Sequence, residues 1–190
     1  HKIQHLRLRV RNPLYDAREV FLFECYTGIR ISDILTLKWK HITDEKISIR
    51  MRKTEKLLSI PINDYVRAVL DRRRCAVENN GGKITSEKYV FNILKVDVDE
   101  VSAQDALNAI SSATAVINKQ LKKIAKKTGM DKNLSTHCAR QSYATALLTN
   151  NIPLPVIKEM LGHSDIKVTQ IYAKVVDSKR NEVVECLNKV

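Results

Sequence analysis

The longest helical pattern in this 190-residue chain places the strongest limit on its fold. From Ser102 to Lys127, apolar residues recur at spacings of three, four and seven positions, which is typical of one long amphipathic helix. Ser102 is a suitable N-cap residue, and Gly129 suits the C-terminal stop. The pattern therefore predicts a long helix over this segment, within a domain of ordinary size.

Helix start and stop signals recur on both sides of this segment. Asn12 and Pro13 are typical of an N-cap and a first helical position, and they predict a helix that runs to about Tyr26. Gly28 interrupts the pattern, and a second helix is predicted from Ile31 to Leu37. Further helices are predicted to begin near Asp64, Ser135, Pro153, Ser164 and Lys179.

Alternation of apolar and polar residues predicts a small antiparallel sheet. Ile47, Ile49 and Met51 lie on one side of an extended run, and a second strand is predicted from Leu57 to Ile62. Lys53 continues the parity of the apolar side, which is unusual for a solvated lysine and favours a directed role. A short third strand is predicted at Tyr89–Phe91, and Leu6–Arg11 is predicted to be either a strand or an extended linker. The predicted fold class is α+β, mainly helical with a small antiparallel β-sheet.

The net charge of +12, from 33 basic against 21 acidic residues, favours a polyanionic partner. Nucleic acid is the first choice, because the sequence has no long apolar run that could span a membrane and no single basic amphipathic helix. A basic protein without a polyanionic partner remains the alternative on charge alone. We therefore expect double-stranded DNA as the partner and no membrane.

The cysteines carry no sign of a metal site or of a disulfide framework. The four of them are far apart, with no Cys-x-x-Cys pair and no Cys/His cluster at zinc spacing. A chain of this length does not need disulfides, so we expect reduced thiols and a cytoplasmic protein. We expect no metal and no cofactor.

Cleavage of a phosphodiester without a metal needs a nucleophile, cationic donors for the non-bridging oxygens and a general acid for the leaving oxygen. His137 and Arg140 are three residues apart on a predicted helix and therefore share a face. Arginine suits this role because its planar fork can grip a phosphate with two hydrogen bonds. Alone, such a pair is more often an ordinary polar helix face.

Two further groups strengthen this interpretation. Tyr172 follows His163 by nine residues, too far for one face of one straight helix, but a break at Gly162 lets the two side chains converge from different elements. Arg30 follows the glycine turn at Gly28, and Asp33 lies three residues later, where it could orient that arginine. Each group has an ordinary structural explanation when taken separately.

In identity, order and approximate spacing, these motifs resemble those of the tyrosine recombinase family over roughly residues 20–174. The residues that carry the resemblance are Thr27-Gly28-Ile29-Arg30, Lys53-Thr54, His137-x-x-Arg140, Leu161-Gly162-His163 and Tyr172. The phrase from Thr169 to Val175 looks most like integrases of bacterial conjugative transposons and related mobile elements.

The resemblance implies a role for each matching residue. Tyr172 would be the nucleophile that forms a 3′-phosphotyrosine bond, and Arg30 and Arg140 would clamp the scissile phosphate. Lys53 would be the general acid toward the leaving oxygen. The remaining matches are His137 and His163, which would bind the phosphate or assist proton transfer, and Asp33, which would support the site. The chain departs from many members at Gln141, where they carry a second histidine.

The resemblance also implies a domain organisation. Residues 1–177 would form the catalytic domain, and residues 178–190 a tail helix that is exchanged between protomers. An N-terminal DNA-binding domain, absent from this chain, would complete a clamp around DNA. Four protomers would assemble on two DNA sites, whereas this chain alone could be monomeric.

Three other functions compete with a site-specific recombinase. A type IB topoisomerase shares the chemistry but relaxes one duplex. A non-catalytic DNA-binding module is suggested by the short helices and tight turns from Ser135 to Tyr172, which are reminiscent of helix-turn-helix. A basic structural or protein-interaction domain would account for the charge alone. A binding module has no reason to carry Arg30, Lys53, His163 and Tyr172 together.

Overall fold

A computed structural model describes residues 2–173 and has the predicted fold class: it is mainly helical, with one two-stranded antiparallel sheet in this range. Helical backbone also covers residues 166–173, and a short 3₁₀ turn covers Trp39–His41. The strands are β1 (Lys46–Arg50) and β2 (Leu57–Pro61). The helices are α1 (Leu14–Thr27), α2 (Ile31–Leu35), α3 (Asp64–Glu78), α4 (Ala103–Lys127), α5 (Thr136–Thr149) and α6 (Leu154–Leu161).

Helix α1 lies at the centre of the domain, where α2, α3, α4 and α5 all contact it. Its sequence is apolar around most of its circumference, and a helix of this kind has to be enclosed by other elements. Ala17, Val20 and Phe23 are completely buried, and the Phe23 ring packs edge-on against Phe91 at 5.2 Å between centroids. Because α1 ends at Gly28, the first residues after it are held firmly by the core.

The buried apolar residues form a main core and a smaller second cluster. The main core joins α1, α3, α4 and the β-hairpin, whose apolar residues pair across the strands as Ile47 with Ile60 and Ile49 with Leu58. The second cluster joins α5, α6 and the segment 166–173. Its fully buried members are Tyr143, Ala144, Ile157, Leu161 and Tyr172.

Three predicted helix starts are confirmed by their caps. The side chain of Asn63 accepts a hydrogen bond from the Val66 amide at 2.9 Å, and that of Ser102 accepts one from the Asp105 amide at 3.1 Å. Ser135 likewise accepts one from the Cys138 amide at the start of α5. These side chains satisfy amides that the first helical turn leaves without partners.

Several predicted boundaries and strands are wrong. Tyr89–Phe91 forms only one isolated bridge, between Tyr89 and Lys38, because the partner segment turns into a 3₁₀ helix at once. Of the two alternatives for Leu6–Arg11, the strand is not formed. Helix α2 ends at Leu35 instead of Leu37, where the Thr36 hydroxyl donates to the Ser32 carbonyl. The predicted tail helix, Lys179–Val190, lies outside the described residues.

Gly28 is the junction on which the site depends, and we predict that Gly28→Ala destabilises the domain strongly. Its φ of 66° is in the left-handed region, and an added Cβ would lie 2.3 Å from Cδ1 of the Tyr143 ring. Strain and overpacking together should lower the free energy of unfolding by about 3 kcal/mol in urea titrations.

Gly129→Ala is the matched control, since Gly129 also has a positive φ, 62°, but nothing lies within 4 Å of its added Cβ. Its free energy of unfolding should fall only by the cost of the left-handed backbone conformation, about 1 kcal/mol. Equal losses in the two variants would contradict the close approach of Gly28 to Tyr143.

Candidate active site

A cleft of about 440 Å³ brings together all six residues predicted to be catalytic. They come from distant parts of the chain: the end of α1, the β-hairpin, α5, the residues after α6 and the segment 166–173. The residues that line the cleft are Glu24, Arg30, Ile31, Ser32, Lys53, Thr54, Thr136, His137, Arg140, His163, Ser164, Val168 and Tyr172.

Arg140 lies at the base of this cleft with only 7% of its surface exposed. One terminal nitrogen of its guanidinium, Nη1, donates to the carbonyl of Gly28. The other, Nη2, donates to the carbonyl of Leu161 at 2.6 Å and lies 3.0 Å from Nε2 of His163. Burial and the neighbouring charge of Arg30 lower the pKa of Arg140 to about 10.

Arg30 occupies the N-cap position of α2, two residues after Gly28. Its Nη1 donates to the sulfur of Met51 at 3.2 Å, and its Nη2 donates to the carbonyl of Gly162 at 3.3 Å. These acceptors, like those of Arg140, carry no charge. Within residues 2–173, neither arginine forms an ion pair with a carboxylate. The cleft therefore holds two cations whose charge is not neutralised, which favours an anionic ligand.

The hydrogen bonds of His163 determine its tautomer. An arginine can only donate, so Nε2 of His163 must accept from Arg140, and Nδ1 must then carry the proton. Nδ1 of His163 donates to the hydroxyl oxygen of Thr169 at 2.9 Å. Burial, followed by the charges of Arg140, Arg30 and Lys53, lowers the pKa of His163 to about 4. The imidazole is therefore neutral at physiological pH.

Tyr172 reaches the cleft because the chain breaks between α6 and the following helical segment. Gly162 ends α6 in a left-handed conformation, and helical backbone resumes at residue 166. The rings of His163 and Tyr172 stack at 6.4 Å between centroids, with 16° between their planes. The predicted break at Gly162, and the convergence of these two residues, are confirmed.

The N-terminus of α5 forms another wall of the cleft. Thr136 and His137 lie in its first turn, and both line the cleft. His137 is exposed, and its Nε2 accepts from the side-chain amide of Gln141 at 3.1 Å. Asn118 and Ser135 already accept from the amides of Thr136 and Cys138, so it is the dipole of this helix end that adds to the positive character of the cleft.

Lys53 lines the cleft, but the strand parity predicted for it is wrong. Strand β1 ends at Arg50, and residues 52–54 form the turn of the hairpin, so the alternation of sides stops before Lys53. The turn is closed by the amide of Glu55, which donates to the Met51 carbonyl at 2.8 Å. Lys53 is exposed, and its side chain is free to follow a ligand that enters the cleft.

Asp33 supports the hairpin more directly than it supports Arg30. Its Oδ1 accepts from the backbone amide of Arg52 at 2.9 Å, one residue before Lys53, and its buried Oδ2 has no partner within the described range. Burial raises the pKa of Asp33, and the hydrogen bond from Arg52 and the charge of Arg30 oppose that rise. Asp33 therefore links α2 to the turn that carries Lys53.

Glu24 is the cleft residue that sequence reasoning missed. It lies on α1 with 2% of its surface exposed, and burial raises its pKa to about 9. The available signal was its position as the single acid within an apolar helical run, Val20-Phe21-Leu22-Phe23-Glu24-Cys25. An acid there is either paired or uncharged.

Residues 2–173 contain neither a metal-binding cluster nor a membrane-spanning helix. No group of three or more His, Cys, Asp or Glu side chains in this range is placed to hold a metal ion. None of its helices combines the length and apolar character that crossing a bilayer requires.

Comparison with known proteins identifies the family. The sequence profile of the Phage integrase family matches residues 12–179. The chain belongs to this family, whose members include the tyrosine recombinases. Among the relatives of this integrase-family chain is the tyrosine recombinase XerD of Listeria monocytogenes, which is 45% identical over 160 residues, 83% of this chain and 49% of that protein.

Other relatives give the same assignment. The tyrosine recombinase XerA of Saccharolobus solfataricus is 29% identical over 163 residues, 85% of this chain and 47% of that protein. The integrase-family chain thus spans about half the length of these curated relatives.

Solved structures share the fold. The XerH site-specific recombinase bound to palindromic difH substrate superposes with a TM-score of 0.68 at 20% identity, over 98% of this chain and 50% of that one. The Tn1549 transposon integrase in complex with circular intermediate DNA superposes with a TM-score of 0.58 at 20% identity, over 90% of this chain and 57% of that one. The predicted tyrosine recombinase fold is confirmed.

We predict that His163 is the Nδ1–H tautomer at neutral pH and that Thr169 holds it there. Thr169→Val keeps the shape of this buried side chain but removes the acceptor, whereas Thr169→Ser keeps the hydroxyl. The loss of the bond should lower the free energy of unfolding by about 1 kcal/mol relative to Thr169→Ser.

Nitrogen-15 NMR of the imidazole should find the proton on Nδ1 in the wild type and in Thr169→Ser. The Nδ1–H population should decrease in Thr169→Val. A wild-type spectrum dominated by Nε2–H would be inconsistent with the hydrogen bond from Arg140.

Proposed function

We propose that this chain is the catalytic domain of a site-specific DNA recombinase that cleaves and rejoins DNA strands through a 3′-phosphotyrosine intermediate on Tyr172. The observation that carries the proposal is the convergence of Tyr172 with two arginines that lack acidic partners in the described range. A cation pair of this kind is most stable when a bound phosphate neutralises it.

Arg30 and Arg140 hold the non-bridging oxygens of the scissile phosphate. Negative charge grows on these oxygens as the phosphorus becomes five-coordinate, and donors that are already in place stabilise that charge without reorganising. His137, at the N-terminus of α5, provides a further donor, and neutral His163 accepts from Arg140 and so helps to hold that guanidinium in place. Because Arg140 is anchored to backbone carbonyls, it needs little ordering when DNA binds.

Tyr172 attacks the phosphorus through its phenol oxygen, and the bond from phosphorus to the 5′ oxygen breaks. Lys53 gives a proton to that leaving oxygen and regains one from solvent, and the phenol proton of Tyr172 passes to solvent, so the protons balance. The protein–DNA bond keeps the energy of the phosphodiester, so a 5′-hydroxyl can reverse the reaction and rejoin a strand. Division into two transesterifications replaces one difficult step by two easier ones.

Double-stranded DNA is the partner that we infer for this chain. Its charge of +12 suits a phosphate backbone. The similar XerH recombinase is bound to palindromic difH substrate, and the similar Tn1549 integrase is in complex with circular intermediate DNA. We also propose a cytoplasmic location for it.

The complete protein would contain more than this chain. Its relatives are about twice as long, which supports an additional N-terminal DNA-binding domain. We propose four protomers on two DNA sites, with residues 1–177 as the catalytic unit and residues 178–190 exchanged between neighbours. Alone, the chain would be monomeric.

We predict that Tyr172→Phe abolishes covalent attachment to DNA without unfolding the protein. The chain is incubated with nicked duplexes of randomised core sequence, in which loss of the short 5′-hydroxyl strand prevents religation. The wild type should give a denaturation-resistant adduct, and sequencing of the trapped DNA should identify the preferred site.

Tyr143→Phe is the matched control, because Tyr143 is a buried tyrosine of the same cluster and does not line the cleft. It should still form adducts. Adducts with Tyr172→Phe would disprove the assignment of the nucleophile. Relaxation of supercoiled DNA by the monomer, without site preference, would favour a topoisomerase.

We predict that replacing the bridging 5′ oxygen by sulfur restores the activity of Lys53→Ala. A thiolate leaves without a proton, so the sulfur duplex does not need a general acid. On the normal duplex, adduct formation by Lys53→Ala should be on the order of a hundredfold slower than by the wild type.

Arg30→Ala serves as the control for this substrate, since the sulfur replacement cannot substitute for charge on the non-bridging oxygens. It should remain slow on both duplexes. If sulfur fails to rescue Lys53→Ala, another group, such as His137 or Lys56, donates the proton.

A further inference from the structure

Helix α1 carries a buried acid directly beneath the cleft. Glu24 lines the cleft wall with 2% of its surface exposed, and its carboxyl oxygen Oε2 is buried without a hydrogen-bond partner in the described part of the chain. A carboxylate in this environment would lose its hydration without compensation, which costs several kcal/mol on general grounds. The geometry therefore requires either a counter-ion or the uncharged acid.

A second buried glutamate on the same helix provides the comparison. Glu19 is completely buried, and its two oxygens accept from Nε of Arg18 at 2.8 Å and Nε of Arg72 at 2.9 Å. The fold therefore provides ion pairs for a buried acid at one position of α1. Among residues 2–173 it provides none for Glu24, although the guanidinium of Arg140 is close enough to act on the charge of Glu24.

The titratable groups that act on Glu24 come from α5. The charge of Arg140 favours the carboxylate, whereas Cys138 and, above all, burial favour the neutral acid. Cys25, the next residue on α1, is itself neutral because burial raises its pKa to about 12. The helices α2, α3 and α4 also pack on α1 but contribute no charged group that acts on this carboxyl. The resulting pKa of Glu24, about 9, leaves it uncharged at physiological pH.

We propose that Glu24 is a positioning residue for the phosphate clamp: the neutral acid leaves Arg140 free for DNA, and the carboxylate captures it. All acceptors of Arg140 in the structure are neutral, so an ionised Glu24 would be its strongest partner. A captured guanidinium could no longer give its full charge to the scissile phosphate. Glu24 thus acts through Arg140 and does not touch the substrate. This inference rests on the proposed recombinase function.

The ionisation of Glu24 determines how the cleavage rate should change with pH. Below its pKa, Glu24 is neutral and the clamp is available; above that pKa, the carboxylate forms and cleavage slows. One pH unit above the pKa, the neutral fraction falls to about one-tenth, so the rate should fall about tenfold from this cause alone. Glu24→Gln has a neutral side chain of the same shape at every pH and should lack this loss.

The experiment measures adduct formation in single turnover with saturating nicked duplex of the trapped sequence, at about pH 7.5 and about pH 10. The quantity compared is the ratio of the two rates for each protein. The proteins compared differ only at position 24, so a difference between their ratios comes from that side chain. The ratio for Glu24→Gln, at high over low pH, should be about tenfold larger than for the wild type.

Two further variants test whether the change in the ratio comes from the ionisation of Glu24. Glu24→Met removes the ionisable group while keeping the length of the side chain. Its ratio of rates should match that of Glu24→Gln, and it replaces that variant if Glu24→Gln folds poorly. Glu78→Gln removes an exposed carboxylate from α3 and should keep the wild-type ratio. A purely structural role for Glu24 would change stability but not the ratio.

The outcomes separate this inference from the function on which it rests. If the wild type forms adducts and the neutral variants share its ratio, the role of Glu24 is refuted while the recombinase function stands. If the wild type forms no adduct at any pH, the recombinase function fails, and the inference about Glu24 fails with it.

Discussion

The buried guanidinium of Arg140 is the interaction on which the rest of the site depends. From α5, it reaches the carbonyl of Gly28 after α1 and the carbonyl of Leu161 at the end of α6, and it touches His163. One side chain thereby joins three helix ends that are far apart in sequence. The hydrogen bonds satisfy carbonyls that helix ends leave open, and they keep the cation oriented toward the cleft.

The cleft keeps its positive charge because the two buried acids near its arginines do not form ion pairs with them. Glu24 is uncharged by burial, and Asp33 is engaged by the backbone of the hairpin at Arg52. His163 is likewise neutral, so it can accept from Arg140. The positive charge therefore remains available for a phosphate, although the site costs the folded protein stability. Sites that bind strongly charged transition states commonly carry such a cost.

Several features of the fold could be predicted because they depend on local chemistry. Asn63, Ser102 and Ser135 cap their helices as expected, since a cap needs only a short polar side chain near three free amides. The hairpin alternation identified β1 and β2, but it could not locate the end of β1. The parity of Lys53 was therefore wrong, because a turn that starts at residue 52 ends the alternation.

The sequence by itself determined which groups are available: an HxxR pair, an arginine after a glycine turn, a hairpin lysine and a tyrosine nine residues after a histidine. The tertiary structure alone decided how their charges behave. Arg18 lies beside Glu19 in the sequence, but the second arginine that pairs with Glu19, Arg72, comes from α3. Glu24 has no ion-pair partner within residues 2–173, and only the fold decides that. Periodicity reports that a position is buried, whereas the charge of a buried group depends on partners that long-range packing brings to it.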